Sequence, residues 1–263
     1  MENQYHIKLP KVLINSVPKS GTHLLLQIIL GISGMKFRKA TADSFVFYAD
    51  HHRYVKTITT GEVALGHLPY NLNLISEMEQ QRIKHIYISR DLRDITVSYM
   101  HFIINQCPDH LIFQYFTEHL QTNEQRLQAL ISGIHLNESD AKKYGFSSYP
   151  TIFQLFESIF NWRGNPNICE LKFEDLMKDT ESQKQEILKI IDYLWSDLQS
   201  LNVKKEVLLD LMQNNINPQT SWTFRKGKIG EWRDTFTEEH KQAFKQNAGN
   251  FLIDLGYETD LNW

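Results

Sequence analysis

Cysteine is scarce: Cys107 and Cys169 are the only two among 263 residues. Two thiols make no disulfide framework, and no zinc-type cysteine spacing occurs, so a disulfide scaffold and a zinc-built fold are excluded. Long apolar runs are also missing. The longest, from Leu24 to Leu30, falls far short of the ~20 residues that cross a bilayer. The opening residues, Met1 to Ile7, hold no basic region followed by an apolar stretch, so no secretory signal is expected. Charge of one sign is lacking as well. There are 28 Lys+Arg against 31 Asp+Glu, for a net charge of −3. That balance gives no global pull toward nucleic acid or an anionic membrane. No internal repeat, low-complexity tract or Pro/Gly/Ser-rich linker divides the chain. These absences predict a protein of a reducing, cytoplasmic setting, with no transmembrane segment and no nucleic-acid partner.

What is there reads as globular. Hydrophobic residues make up 41% and charged residues 22%, near the averages for folded domains. The length allows one or two domains, and the continuity of the pattern favours one over residues 1–263. Lys11–Val17 is a short apolar run bounded by turn residues, as in a buried strand. A turn at Pro18–Gly21 leads into a helix from Thr22 to about Leu30, stopped by Gly31. Lys84–Ser89 and Ile168–Phe173 read as further strands. Asp94, with Asp91 as competitor, is the expected cap of a helix carrying Ile95, Tyr99, Phe102 and Ile103. Helices follow near Glu181–Trp195 and Val203–Asn214, and a last one starts at the Thr237 cap and ends at Gly256. Strands alternating with helices imply an α/β fold, a central parallel sheet flanked by helices. Such folds bind ligands at the carboxyl ends of the strands, where both Pro18–Thr22 and Arg90 lie.

Three segments carry chemistry. The first is Pro18-Lys19-Ser20-Gly21-Thr22-His23. A strand, a tight glycine turn and a helix start form an anion cradle, because the first amides of the helix have no internal partner. Ser20 and Thr22 add hydroxyls, and Lys19 adds a mobile charge. The same residues would also serve as an ordinary strand-to-helix turn. The order is not that of a Walker A loop, since Lys19 precedes the glycine by two residues. The second segment is Arg90-Asp91-Leu92-Arg93-Asp94 with Ser98 beyond it. A phosphate there would meet a guanidinium fork, a hydroxyl and the positive end of a helix. The alternative is a salt-bridged helix start with Arg93 and Asp94 on solvent. The third is Arg225-Lys226-Gly227-Lys228-Ile229-Gly230-Glu231-Trp232, with three cations and two glycines within six residues. It reads as a basic phosphate clamp or as a solvated basic loop.

Together these segments resemble the cytosolic sulfotransferase family, whose donor is 3′-phosphoadenosine 5′-phosphosulfate (PAPS). The family's first signature, of the type Pro-Lys-Ser-Gly-Thr, is met at Pro18–Thr22. Its second is an Arg at a strand end with a Ser eight residues on, met by Arg90 and Ser98, followed by Tyr99-Met100-His101-Phe102. Its third, Arg-Lys-Gly-x-x-Gly-[Asp/Glu]-Trp, is met at Arg225–Trp232. The resemblance implies a P-loop-like phosphosulfate-binding loop. It also implies that Arg90, Ser98, Arg225, Lys226 and Gly227 hold the 3′-phosphate. The family's catalytic histidine lies in a His-Leu-Pro turn, met here at His67-Leu68-Pro69. It implies that His67 takes the acceptor's proton, for which an ordinary imidazole pKa near ~6.5 would suit. Lys19 would then stabilise the leaving phosphate, with 3′-phosphoadenosine 5′-phosphate (PAP) as the product and no metal required.

The departures are specific. Leu65 stands where relatives often carry Lys. His23-Leu24 follow Thr22 where animal enzymes place an adenine-stacking Trp, so adenine is expected on Phe173 or Phe224. Phe173 itself replaces a common Tyr. The family's dimer signature is poorly met at Arg233–Lys241, and the oligomeric state is left open. Residues 106–149, with Phe113, Tyr115, Phe116 and His119, are expected as a helical lid over a small-molecule or lipid acceptor, or as ordinary packing. Phe45–Tyr54 would make another wall. The competing functions are a P-loop-type small-molecule kinase and a non-catalytic nucleotide-binding protein. The kinase lacks its Gly-Lys-[Ser/Thr] order here, and the non-catalytic reading would have no use for His67.

Overall fold

The structure is a computed structural model that describes residues 9–44, 50–221 and 223–263. In chain order the main elements begin with β1 (Lys11–Ser16), α1 (Thr22–Leu30), β2 (Lys36–Phe37), α2 (His51–Lys56), β3 (Glu62–Gly66), α3 (Leu72–Gln80), β4 (Ile83–Ser89) and α4 (Leu92–Gln106). There follow α5 (Asn123–Ser132), β5 (Ile134–His135), α6 (Glu138–Tyr144), β6 (Ser148–Tyr149), α7 (Ile152–Phe160), β7 (Cys169–Lys172) and α8 (Phe173–Met177). The last are α9 (Thr180–Leu198), α10 (Lys205–Asn214), α11 (Trp232–Thr235) and α12 (Glu238–Asp254). The described residues cluster into two compact units. One is built from residues 9–89 and 159–227, the other from 90–158 and 228–263.

The first unit holds the parallel sheet, in the order β2-β3-β1-β4-β7. Strand β1 is central and pairs with β3 and β4. Asn15 lies opposite Gly66, Ser16 opposite Ile88, and Ser89 opposite Lys172. The register therefore brings the carboxyl ends of β1, β3 and β7 to one edge of the sheet. Side chains alternate across the pleat. Val12, Ile14, Ile86, Ile88 and Leu171 join one buried cluster with residues of α1, α9 and α10. The intervening His85 and Tyr87 face the other side, where the His85 ring meets the edge of Trp162 at 4.5 Å.

The sequence signals hold with local revisions. Gly31 does end α1 but keeps ordinary helical angles. A Cβ there would lie 2.6 Å from Met212 Cα, so close packing against α10 explains this glycine. Phe173 opens α8 instead of closing a strand. Strand β3 is a further short apolar run, Val63–Leu65 flanked by Glu62 and Gly66.

In the second unit α5 packs against both α4 and α12, and β5 pairs antiparallel with β6 across the α6 connection. Asp91, not Asp94, caps α4 by accepting from the Arg93 amide at 2.9 Å. Asp94 lies inside the first turn and, with Arg93, is buried rather than solvated. Within 106–149, Tyr115 and Phe116 are buried and Tyr115 stacks on His119. Their role inside this unit is packing. Of the expected wall Phe45–Tyr54, residues 45–49 lie outside the described residues.

His85 sets up a stability test. Neither ring nitrogen has a hydrogen-bond partner among the described residues, and burial pushes its pKa down to about 3. The unfolded chain takes up that proton near pH ~6.5, while the folded chain does not. Between those values folding must expel a proton, so stability falls as pH falls. We predict that His85→Leu flattens the pH dependence of urea-unfolding stability between pH 6 and 4 by up to ~1.4 kcal/mol per pH unit. An unchanged slope would contradict this assignment.

Candidate active site

The Lys19 loop is built by the end of β1. Val17 donates its amide to the Ile88 carbonyl at 3.3 Å, continuing the sheet for one residue, and Ser20 turns back onto the Val17 carbonyl at 3.1 Å. The turn contains two left-handed residues, Lys19 (φ 69°) and Gly21 (φ 97°), on either side of Ser20. For lysine that geometry costs about 1–2 kcal/mol, so the loop is held by its surroundings. A Cβ on Gly21 would come within 2.8 Å of Phe173 Cδ2. Glycine is thus required there twice, for its angle and for its closeness to the ring. Among the described residues no side chain caps α1, so no such group there consumes its leading amides. Ser20 Oγ is buried with no hydrogen-bond partner among the described residues. An orphaned hydroxyl inside an amide-lined turn fits an anion that is added when the loop is loaded.

His67 follows β3 and is fixed from several directions. Its amide donates to the Ser44 carbonyl at 2.8 Å. The next residue, Leu68, is clamped by Asn15: the Leu68 amide donates to Asn15 Oδ1 at 2.7 Å, and Asn15 Nδ2 donates to the Leu68 carbonyl at 3.1 Å. Trp162 Nε1 donates to that same carbonyl at 2.8 Å. The imidazole Nδ1 lies 2.8 Å from the Ser16 carbonyl oxygen. A carbonyl can only accept, so Nδ1 carries the proton and Nε2 keeps its lone pair. Ser16 Oγ lies 3.2 Å from Nδ1 and 2.7 Å from Thr22 Oγ1. One residue at the end of β1 therefore links the histidine to the anion loop.

The electrostatics favour a neutral imidazole. Burial lowers the His67 pKa to about 4; the Ser16 carbonyl opposes the shift, and the nearby His23 and Lys19 add to it. This corrects the ordinary value expected from sequence. His23 is also held below its usual value, first by burial and then by Lys19. Its ring therefore shares the electrostatic environment of the loop.

The front half of the basic segment belongs to the same unit. A Cβ on Gly227 would sit 3.2 Å from the Phe224 ring and 3.4 Å from Met177 Cε. Phe224–Gly227 is thus packed against the end of α8, whose first residue, Phe173, lies under Gly21. Phe173 is 5% exposed and Phe224 is half-buried. Lys226 is exposed, with Arg225 half-buried beside it.

The second unit holds Arg90, Ser98 and the rest of the basic segment. Arg90 Nη2 donates to the Lys228 carbonyl at 2.7 Å and lies 3.5 Å from Asp94 Oδ2. Asp94 accepts from the Gly230 amide at 2.7 Å and from the Trp232 amide at 3.1 Å. Burial raises the Asp94 pKa, while Arg90 and these two amides hold it down. Ser98 is one helical turn beyond Asp94, so it shares the face from which Asp94 meets Arg90. Because Leu92 starts the helix, Ser98 lies almost two turns in. It is beyond reach of the helix dipole, which acts over the first turn. Its usable feature is the hydroxyl.

Sequence reasoning missed Asn15, Ser16 and Trp162, and it read Asp94 as a cap or a solvated residue. Each acts on backbone or on another side chain at least about fifty residues away in the chain, and no local pattern encodes that.

A family model described as "Sulfotransferase domain" matches residues 9–254. The chain is 24% identical over 272 residues to sulfotransferase 1E1 of Bos taurus, covering 92% of this chain and 83% of the relative. It is 24% identical over 292 residues to the amine sulfotransferase of Oryctolagus cuniculus, covering 99% and 89%. Its fold is similar to mouse sulfotransferase SULT7A1 complexed with PAP, with a TM-score of 0.61, 20% identity, and coverage of 94% and 87%. Retinol dehydratase in complex with androsterone and inactive cofactor PAP gives a TM-score of 0.57 at 19% identity, covering 95% and 83%.

The His67 geometry predicts a spectroscopic result. Nitrogen-15 NMR of the uncomplexed protein should show the Nδ1–H tautomer from pH 8 to 5, with protonation only near pH 4. A midpoint near pH 6.5 or an Nε2–H tautomer would contradict the assignment.

Proposed function

The chain belongs to the sulfotransferase family and is a PAPS-dependent sulfotransferase, and we propose that in it His67 is the general base and Lys19 the leaving-group cation. When bound, PAPS supplies the sulfonate group that is transferred. The orphaned Ser20 hydroxyl and the cradle at Gly21 fit its phosphosulfate end. Ser20, Gly21, Thr22 and the first amides of α1 would hold those oxygens, with Lys19 and His23 beside them. The family resemblance assigns contacts to the 3′-phosphate to Arg225, Lys226 and Gly227 in the first unit and, separately, to Arg90 and Ser98 in the second. Phe224, half-buried next to Gly227, is the better platform for adenine; Phe173 supports the loop from beneath. We read residues 1–263 as one functional domain, because the family match runs through both compact units.

In this reading His67 Nε2 receives the proton of an acceptor hydroxyl or amine. The Ser16 carbonyl keeps the Nδ1 proton in place and favours the imidazolium that forms. Lys19 meets the negative charge growing on the departing phosphate. Positioning and preorganised donors carry the reaction. The single observation that carries the assignment is the Nδ1–Ser16 contact, which leaves the lone pair of His67 on Nε2. The acceptor is a small molecule, and a lipid acceptor belongs to the same proposal. Among the described residues no helix is long and apolar enough to cross a membrane. Cys107 and Cys169 are not joined in a disulfide, and a cytoplasmic setting belongs to the same proposal.

His67→Ala should lower sulfonate transfer by about 10²- to 10⁴-fold while the PAP dissociation constant stays within a few-fold of wild type. Turnover close to wild type would remove His67 from the base role. Transfer from labelled PAPS to a panel of phenols, amines, sterols and glycolipids both tests the activity and identifies the acceptor.

Arg225→Ala should weaken PAP far more than adenosine 5′-phosphate, which lacks the 3′-phosphate. Equal losses for both nucleotides would show that the clamp is misassigned.

A further inference from the structure

In the second unit, one buried cation ties Arg90's neighbours to the end of the described chain. Arg93 is 1% exposed. Its Nε donates to Asp91 Oδ1 at 3.0 Å and its Nη2 to Asp91 Oδ2 at 2.7 Å. Its Nη1 donates to Glu258 Oε1 at 2.5 Å. Its Cζ lies 3.8 Å from the ring centre of Trp232 and 4.4 Å from that of Trp263. Arg233 lies 4.7 Å over Trp232, and Lys245 lies 5.0 Å over Trp263. Two carboxylates and two indoles therefore compensate a guanidinium withdrawn from water. Removing any one of them leaves a buried charge short of partners.

The partners of this cation are the parts that aim Arg90. Asp91 caps α4 and is the residue next to Arg90. Trp232 has its amide fixed by Asp94, and Asp94 pairs with Arg90. Glu258 and Trp263 lie outside the three signature segments, yet they complete the enclosure of Arg93. We propose that Glu258 and Trp263 are positioning residues for recognition of the donor's 3′-phosphate: through Arg93 they set the start of α4, and with it Arg90 and Ser98. A fork that must meet a phosphate bidentately tolerates little displacement, so the loss of an indole far from the ligand is felt at that phosphate. This inference rests on the donor-site reading above.

The test compares PAP with adenosine 5′-phosphate by competition calorimetry. Trp263→Ala should weaken PAP about tenfold, equivalent to about 1.4 kcal/mol, and change adenosine 5′-phosphate by less than about twofold. Trp263→Phe, which keeps a ring face over Arg93, should recover most of the PAP affinity. Glu258→Gln is a milder change that leaves the indoles in place, and it should shift the PAP affinity in the same direction. A lower melting temperature with unchanged PAP affinity, or equal losses for both nucleotides, would mean that these residues only stabilise the fold. Arg225→Ala serves as the comparator. If it discriminates the two nucleotides while Trp263→Ala does not, this inference alone fails. If neither discriminates, the 3′-phosphate assignment falls and takes this inference with it.

Discussion

The contact between the Ser16 carbonyl and His67 Nδ1 is the constraint on which the candidate chemistry depends. An imidazole has two nitrogens, and only an acceptor with no proton of its own dictates which of them is left basic. Here that acceptor is backbone, at the carboxyl end of the central strand, and it cannot be lost by a side-chain substitution. The strand fixes the anion loop at the next residue, and Ser16 Oγ reaches both Thr22 and His67. Asn15 and Trp162 hold the following turn. The base and the anion cradle are thus referenced to the same few atoms of β1.

The second unit uses a different device. It buries charge in quantity: Arg93, Asp94, Asp91 and Arg90 are all withdrawn from solvent. Such groups are costly unless every one is paired. The pairing joins the start of α4 to the backbone at Lys228, Gly230 and Trp232. A buried acidic residue beside a proposed phosphate-binding arginine would at first sight compete with the ligand. Asp94 also accepts from two backbone amides, so its charge is shared between Arg90 and the Gly230–Trp232 backbone.

Much of this was legible in the sequence, for identifiable reasons. The strand, turn and helix around Lys19 are local events, written in an apolar run, a glycine and a helix start. The Thr237 cap was equally local, and it holds with His240 completing the reciprocal pair. What could not be read depends on distant partners. Arg93 and Asp94 look like an ordinary charged helix start until residues 230–263 are folded against them. The pKa of His67 shifts with burial, which residue identity does not encode. Phe173 reads as a strand residue and a candidate adenine platform, yet its place under Gly21 depends on the registers of β1 with β4 and of β4 with β7. Gly31 reads as a helix stop, and the structure shows a close-packing glycine.

The pH dependence of kcat/KM for PAPS at saturating acceptor tests the central claim most directly. A base held neutral by burial predicts a rate that is level from pH 8 down to 5 and drops only near pH 4. An acid limb centred near pH 6.5 would mean that His67 titrates as an ordinary imidazole, and it would contradict the account.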